Sequence, residues 1–355
     1  MRKDVVVNQN RREFLKFAAA GGAALATGEL VAAPASAVKP FKFLVFSDIH
    51  FSPGEWTNDN IEFLEKAIDR AKRERCEMIF QLGDLIHSPS RPDVQAYVKR
   101  LNTCGVPVKH VLGNHDADRG PLQLTMDLFN LKSGYYHFDV GGFRFIALDA
   151  NYTLVDGKYV HHDRQNYFGW VKTKPFNVMP PEEIEWLKEC VDSSPHPCVL
   201  MSHHSFERPR SSEGVWNKDE VRKVIADANA KKPRSVMMSM CGHYHVGNMS
   251  LCDNVLYWEL NGANFFSCGR FHKCFPPEYV KTHPGAPRNI AWQDPLSAVV
   301  TLWPNGRIRI EGQKSDYFMG VSTEKAGFPP CDDVGRFAEP LIRSVDFRLG
   351  PFADA

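Results

Sequence analysis

Residues 106–116 decide how the rest of the chain is interpreted, and they are Val106-Pro107-Val108-Lys109-His110-Val111-Leu112-Gly113-Asn114-His115-Asp116. The apolar run 106–112 is typical of a buried strand, and the four residues after it place an amide, an imidazole and a carboxylate where that strand would end. An α/β sheet usually holds its active site at this edge. The tetrapeptide is equally compatible with a turn around a hydrogen-bonded histidine, so other stretches must decide.

Two earlier apolar runs end in the same way. The run 41–46 is followed by Asp48-Ile49-His50, and the run 78–82 is followed by Gly83-Asp84. Alternate residues of an extended chain point to one side, so Asp48 and His50 can reach one ion; an aspartate that caps a turn is the alternative. A carboxylate such as Asp84 can bridge two cations. Three strand-helix repeats with polar strand ends predict one functional edge.

The second half of the chain repeats the pattern with imidazoles. An apolar run 197–201 is followed by Ser202-His203-His204, and a run 235–240 is followed by Gly242-His243-Tyr244-His245. Further predictions are helices over 57–75, 93–104, 181–192 and 218–230, a hairpin over 135–149 that turns at Gly141-Gly142, and strands near 248–251, 255–260, 296–302 and 307–312.

Composition indicates one catalytic domain with additions. The chain has 355 residues, of which 43% are hydrophobic and 24% charged, and its formal net charge is +1. A chain that binds nucleic acid usually has a strong excess of positive charge, and one that buffers cations has an acidic tail; this chain has neither. We expect a domain over 38–313 and a C-terminal tail over 314–355 that packs on it. The aromatic stretch 151–180 is predicted to be a lid or specificity insertion, or alternatively a packed surface flap.

The first 37 residues differ in composition from the remainder. Arg11-Arg12 with Phe14-Leu15-Lys16 precede an Ala/Gly-rich segment that closes with Ala35-Ser36-Ala37. This order resembles a twin-arginine signal peptide, with cleavage after Ala37. It implies passage through the twin-arginine translocase to the periplasm or beyond. An N-terminal membrane anchor is the alternative, but glycines and Glu29 interrupt the apolar run of about 18 residues that an anchor needs, so we expect no stable anchor.

The chain has nine cysteines, and export to an oxidising compartment would allow them to form disulfides. They are dispersed and odd in number. The residues Cys76, Cys104, Cys198 and Cys241 lie in or beside predicted core elements and are expected to be buried thiols. Disulfide partners could come from Cys252, Cys268, Cys274 and Cys331, in a pairing that the sequence leaves open.

The ordered set of polar stretches resembles the calcineurin-like metallophosphoesterases. The set comprises Asp48-Ile49-His50, Gly83-Asp84, Gly113-Asn114-His115-Asp116, His203-His204 and Gly242-His243-Tyr244-His245. The resemblance extends over residues 41–250. It implies an α/β fold: a four-layer α/β/β/α sandwich of two mixed β-sheets flanked by helices, with a dinuclear metal centre at one edge.

The resemblance also implies a ligand set. One metal would bind Asp48, His50 and His245. The other would bind Asn114, His243 and His203, and Asp84 would bridge both ions. His203 is preferred to His204, because the neighbouring side chain points to the opposite side if the strand continues. Carboxylate, amide and imidazole donors suit two divalent or trivalent ions among Mn, Fe, Zn and Co.

The same resemblance assigns catalytic roles. His115 matches the non-ligand histidine that stabilises the transition state or protonates the leaving oxygen, while a metal-bridging hydroxide attacks phosphorus. Asp116 is a candidate to orient His115, although a more distant partner is equally compatible. Tyrosine or aspartate is usual in other branches at the position of His87, and histidine there is similar to the double-strand-break repair nucleases, in which it assists catalysis.

These assignments predict an exported hydrolase of small phosphate esters. A phosphodiesterase is preferred to a phosphomonoesterase, because Gly-Asn-His-Asp recurs in the cyclic-nucleotide and glycerophosphodiester branches of the family. The export signal and the absence of a basic stripe argue against a nuclease, and no nucleic acid partner is expected. A family member that has lost its activity and serves as a binding module is a further alternative. Such members usually lack metal-coordinating residues or the catalytic histidine, and this chain retains both.

Overall fold

The computed structural model describes residues 39–53, 61–117, 119–162, 175–207, 214–268, 271–329 and 338–349. The predicted signal peptide, the centre of the predicted insertion and Cys331 lie outside these ranges. None of the helices within them is long and apolar enough to cross a membrane.

The first of two six-stranded sheets contains the strands that end before Asp48, Asp84 and Asn114. Its strand order is β18-β15-β14-β1-β2-β3. Strands β1, β2 and β3 run parallel, whereas β14 pairs antiparallel with β1, so the sheet is mixed. The strands are β1 (Phe41–Phe46), β2 (Met78–Leu82), β3 (Val108–Val111), β14 (Ala298–Leu302), β15 (Arg307–Glu311) and β18 (Val345–Arg348).

The second sheet has the order β10-β11-β9-β8-β5-β4. Its central strands β5, β8, β9 and β11 are parallel, and antiparallel strands close both edges. The strands are β4 (Tyr136–Val140), β5 (Phe143–Ala147), β8 (Cys198–Met201), β9 (Val236–Cys241), β10 (Asn248–Cys252) and β11 (Val255–Glu259).

Three short pairs complete the described strands: β6 (Tyr152–Val155) with β7 (Lys158–His161), β12 (Phe265–Ser267) with β13 (Asn289–Ala291), and β16 (Gln313–Lys314) with β17 (Leu341–Ile342). The α-helices within the described ranges are α1 (Ile61–Arg73), α2 (Pro92–Asn102), α3 (Asn114–Ala117), α4 (Leu122–Leu128), α5 (Pro181–Asp192), α6 (Lys218–Lys231) and α7 (Pro277–Thr282).

The two sheets pack face to face through large apolar side chains. The ring of Phe145 on β5 lies 4.8 Å from that of Phe80 on β2 and 5.8 Å from that of Phe43 on β1, measured between centroids. Leu64 and Leu101 of α1 and α2 are buried against the outer face of the first sheet, and the buried side chains of α5 and α6 pack on the second sheet. The predicted four-layer sandwich is therefore confirmed.

Two glycines explain the first hairpin of the second sheet. Gly141 and Gly142 have φ values of 60° and 81° between β4 and β5. Both central positions of this tight turn need the left-handed backbone that glycine adopts most easily, and such turns match the twist of paired strands. The hairpin predicted from the glycine pair is confirmed.

A second hairpin, β6–β7, was not predicted. It lies within the stretch expected to be an aperiodic insertion and turns at Asp156-Gly157, with φ values of 48° and 79°. The dipeptide Asp-Gly between β-branched and aromatic residues is itself a hairpin signal and could have revealed it. Strand β18 also lies in the segment predicted to be a tail, and it forms the edge of the first sheet.

Eight cysteines lie within the described ranges, and no disulfide joins any two of them. Those predicted to be buried are buried, and Cys190 is buried as well.

Candidate active site

The polar strand ends meet at one edge of the sandwich. The loops after β1, β2 and β3 carry Asp48 and His50, Asp84, and Asn114, and the loops after β8 and β9 carry the histidines. The two sheets are joined here by the backbone N–H of His243, which donates to both oxygens of Asp48 at 3.1 Å. Each sheet therefore supplies half of the site.

One cluster consists of Asp48, His50 and His245, whose candidate ligand atoms lie within 4.8 Å of one another. His245 Nε2 is 3.4 Å from Asp48 Oδ1 and 3.1 Å from His50 Nε2. The Nδ1–H of His245 donates to the carbonyl of Phe265 at 2.7 Å, which leaves the lone pair of Nε2 directed at the cluster. Nitrogen lone pairs at this distance repel each other unless a proton or a metal cation lies between them.

A second cluster surrounds Asp84. Its Oδ2 lies 3.1 Å from His203 Nε2 and 3.6 Å from His50 Nε2, so one carboxylate faces both halves of the site. The Nδ1–H of His203 donates to the carbonyl of Leu82 at 2.8 Å, and His203 Nε2 lies 3.3 Å from His243 Nδ1. The nitrogens of His203 and His243 thus converge beside Asp84.

Asn114 has the environment expected of a ligand. The side chain is fully buried, and among the residues that the structure describes neither its Oδ1 nor its Nδ2 has a hydrogen-bond partner. A buried amide in this state costs about 1–3 kcal/mol unless a further group satisfies it. The surroundings of Asn114 therefore fit a bound metal, because an amide oxygen is a suitable donor for such a cation.

His204 lies closer to the cluster than expected. The preference for His203 assumed that the strand continues, but β8 ends at Met201, and strand alternation does not apply beyond it. The His204 ring lies 4.3 Å from that of His243, and candidate ligand atoms of His203, His204 and His243 lie within 4.8 Å of one another. The direction of the side chain is therefore no reason to prefer His203 to His204 as a metal ligand.

His87 and His115 lie beside His50. His87 Nε2 is 2.9 Å from His50 Nδ1, and the His115 ring centroid is 5.0 Å from that of His50 and 4.7 Å from that of His87. The backbone N–H of His115 donates to Asp84 Oδ1 at 2.8 Å, which holds its half-buried side chain at the site. The sequence prediction that these histidines lie at the site agrees with their positions, and their roles stay predictions.

Asp116 is placed differently from its expected role. Its buried carboxylate accepts the backbone N–H groups of Asp84 and Gly113, each at 2.9 Å, and of Ile86 at 3.0 Å. Within the described part of the chain it makes no hydrogen bond to the His115 ring, so of the two alternatives for orienting His115 the structure gives no support to Asp116. The carboxylate instead fixes the loops after β2 and β3 to each other.

Electrostatics favours an anionic Asp84. Burial alone would raise the pKa of Asp84, but His203, His115 and His50 bring it well below its ordinary value. Burial also acts to lower the pKa of His203, yet the carboxylates of Asp84 and Asp48 raise it to about 9. The site thus stabilises a positive charge next to Asp84, which a metal cation can supply in place of a proton.

The backbone at the site is strained. Asp48, His50, Asp84, His243 and His245 have φ values of 59°, 52°, 54°, 73° and 58°. A residue other than glycine in this left-handed region costs on the order of 1–3 kcal/mol, and such costs concentrate at functional sites. Gly83, at φ 95°, is required here, because a Cβ at this position would overlap the His203 ring.

A polar group next to this edge was not predicted from the sequence. Asp149 follows β5, the neighbour of β8, and its Oδ2 is 3.0 Å from Nε2 of His161 on the β6–β7 hairpin. The side chain of Asn151 donates to Asp149 Oδ1 at 2.8 Å and to the carbonyl of Leu112 at 2.9 Å. Asp149-Ala150-Asn151 after a strand repeats the Asp-x-His pattern of β1, which is the signal that could have identified it.

Comparison with known proteins agrees with the geometry. A manganese-dependent ADP-ribose/CDP-alcohol diphosphatase of Danio rerio is 23% identical over 237 residues, which cover 52% of this chain and 72% of that protein. The crystal structure of a dimetal phosphatase from Danio rerio superposes with a TM-score of 0.57 at 18% identity, covering 88% of this chain and 100% of the other. The second likeness supports the fold.

Two sequence families match separate parts of the chain. The twin-arginine translocation signal sequence matches residues 8–28, which indicates export to the periplasm or beyond. The calcineurin-like phosphoesterase profile matches residues 41–247, more than half of the chain and the part that contains every strand end described above. The chain is therefore a metal-dependent phosphoric ester hydrolase, and it belongs to the calcineurin-like phosphoesterase family.

Proposed function

We propose that the protein is an exported phosphodiesterase that works with two metal ions. Asp48, His50 and His245 would hold one ion. Asn114, His203 and His243 would hold the other, with Asp84 shared. The observation that carries this proposal is the position of the Asp84 carboxylate, 3.1 Å from His203 and 3.6 Å from His50, between the two groups of ligands.

The side chains divide the work of the reaction. Two cations, when bound, lower the pKa of a water molecule and stabilise charge on the phosphoryl oxygens. The anionic Asp84 would hold both ions at a fixed separation, and the half-buried His115 would donate a proton to the leaving oxygen. His87 would hold His50 in place through its contact with Nδ1, and Asp116 would keep the loops after β2 and β3 in register.

Manganese is the first ion to test. The combination of carboxylate, amide and imidazole donors suits Mn, Fe, Zn or Co, and the Danio rerio relative is named as manganese-dependent. The same name supports a reaction at a phosphorus atom with two substituents, since both of its named substrate types are disubstituted diphosphates. The Gly-Asn-His-Asp sequence is a second, independent reason to prefer diesters.

The test compares ester classes in the purified mature protein with its metal content measured. Bis(p-nitrophenyl) phosphate should be hydrolysed with a kcat/KM at least about tenfold above that of p-nitrophenyl phosphate, about 1.4 kcal/mol of transition-state binding. ADP-ribose is included as a third substrate to measure whether the enzyme also hydrolyses diphosphates. A preference for the monoester would contradict the proposal and make the protein a phosphatase.

Export gives a separate prediction. The double substitution Arg11→Lys and Arg12→Lys should leave the precursor in the cytoplasm, because lysine lacks the planar guanidinium that the signal presents. Cell fractionation and N-terminal sequencing of the exported form measure this. Lys16→Arg, which retains the charge and the arginine pair, is the matched control and should be exported. Normal export of the Lys-Lys variant would show that the protein leaves the cytoplasm by a route other than the twin-arginine pathway.

A further inference from the structure

The loop that carries Asn114 is held from two directions. Gly113 donates its backbone N–H to Asp116 Oδ2 at 2.9 Å, and the carbonyl of Leu112 accepts from Asn151 Nδ2 at 2.9 Å. These contacts lie on the two residues directly before Asn114. Gly113 also has no space for a Cβ, which would overlap Asp84. The Asn114 backbone therefore has little freedom to move along the edge of the sheet.

Asn151 lies in the loop that leaves the second sheet. It follows β5, and its fully buried side chain crosses to the carbonyl of Leu112, which follows β3. The second hydrogen of Nδ2 is donated to Asp149 Oδ1 at 2.8 Å, and the backbone N–H of Asn151 donates to the same oxygen at 3.0 Å. Because both partners of Nδ2 are acceptors, the orientation of the amide is fixed by its surroundings.

Asp149 is itself anchored. Its other oxygen faces His161 Nε2 at 3.0 Å, and its backbone N–H donates to Oε1 of the buried Glu183 at 2.7 Å. The hairpin and the start of α5 thus hold Asp149, which holds Asn151. The Oδ1 of Asn151 is buried and has no hydrogen-bond partner within the described ranges, so this residue retains a cost that an apolar side chain would avoid. Such a cost is expected where the amide has a function beyond packing.

We infer that Asn151 is a positioning residue for the metal that Asn114 would bind. This inference rests on the proposed function, in which Asn114 is a ligand of one ion only. By fixing Leu112, Asn151 sets the distance between the Asn114 amide on one sheet and the histidines on the other. Loss of this connection should weaken one metal site and leave the site of Asp48, His50 and His245 intact.

The decisive substitution is Asn151→Asp. Aspartate has nearly the same shape but cannot donate a hydrogen bond to the carbonyl of Leu112, and it places a second carboxylate beside Asp149. Substituting partners that orient metal ligands typically weakens metal affinity by about 10- to 100-fold. We expect that loss for one of the two ions, measured by metal analysis and by competition with a chelator using Mn²⁺ as the probe. The matched control is Asn305→Asp, the same change at an exposed turn, where aspartate keeps the oxygen that accepts the backbone N–H of Arg307; this variant should bind both ions as the wild type does.

Two further measurements separate the possible outcomes. The thermal midpoint of the metal-free variants shows whether Asn151→Asp merely destabilises the fold, and Asn114→Ala identifies the ion that depends on Asn114. Loss of the same ion in Asn151→Asp and Asn114→Ala, at a similar metal-free midpoint, supports the inference. Wild-type affinity in Asn151→Asp, or equal loss of both ions in that variant, overturns it. Retention of both ions in Asn114→Ala would instead overturn the ligand assignment of the proposed function.

If Asn151→Asp does not fold, Asn151→Ser provides the same test. Serine can donate one hydrogen bond but is too short to reach both Leu112 and Asp149. It should weaken the same ion as Asn114→Ala, and unchanged affinity for that ion in Asn151→Ser would overturn the inference.

Discussion

Asp84→Asn is expected to remove nearly all activity, with a loss in kcat/KM of about 10³-fold or more. Asparagine has the shape of aspartate but no negative charge, so it cannot hold two cations together. Its Oδ1 can still accept the backbone N–H of His115, which Asp84 accepts at 2.8 Å, so the loop should keep its place. Both metals should bind more weakly, because the Asp84 carboxylate faces both clusters.

Metal analysis and steady-state kinetics of Asp84→Asn measure the two expected losses. Asp294→Asn is a suitable control, since it removes a half-exposed carboxylate that pairs with Lys66 at the surface and should change neither quantity. Two tightly bound metals with near-normal turnover in Asp84→Asn would show that this residue does not bridge the ions.

His115→Ala should reduce kcat by about two to four orders of magnitude while both metals stay bound. The imidazole lies beside His50 and His87, and the backbone of His115 contacts Asp84, so the side chain can be removed without removing a proposed ligand. A proton donor matters most for a poor leaving group. The loss should therefore be smaller for a p-nitrophenyl ester than for an alkyl ester.

The leaving-group series also distinguishes the roles open to His115. Equal losses across leaving groups with full metal content would favour stabilisation of the phosphoryl oxygens over proton donation. Depleted metal would contradict both roles and make His115 part of the metal site. His137→Ala removes an exposed histidine of β4 and should leave kinetics and metal content unchanged.

Strands β1 and β2 could be predicted in detail because their sequences are mostly apolar runs with abrupt polar ends. Strands β1 and β2 and helix α5 begin and end at the predicted residues. The ends of parallel strands meet at one edge whatever the exact register, so the sequence alone was enough to predict that Asp48, Asp84 and Asn114 lie together.

Contacts beyond the strand ends could not be predicted, because they depend on where each loop turns. His204 lies beside His243 because β8 stops at Met201, so the alternation of side chains along a strand does not extend to residue 204. Asp116 binds three backbone N–H groups of the loops after β2 and β3, and such long-range partners leave no trace in local sequence. The same holds for the contact between His87 and His50, which lie 37 positions apart.

The lack of disulfides among the described cysteines has a consequence for biogenesis. Folding of the described part of the chain needs no disulfide, so it can be completed in a reducing cytoplasm, as a pathway that carries folded proteins requires. After export the thiols meet an oxidising environment. Burial raises the pKa of Cys76, Cys190 and Cys198 to about 11, so these side chains stay protonated and react slowly with oxidants. The core is thus protected by its own packing against the chemistry of the compartment in which the enzyme works.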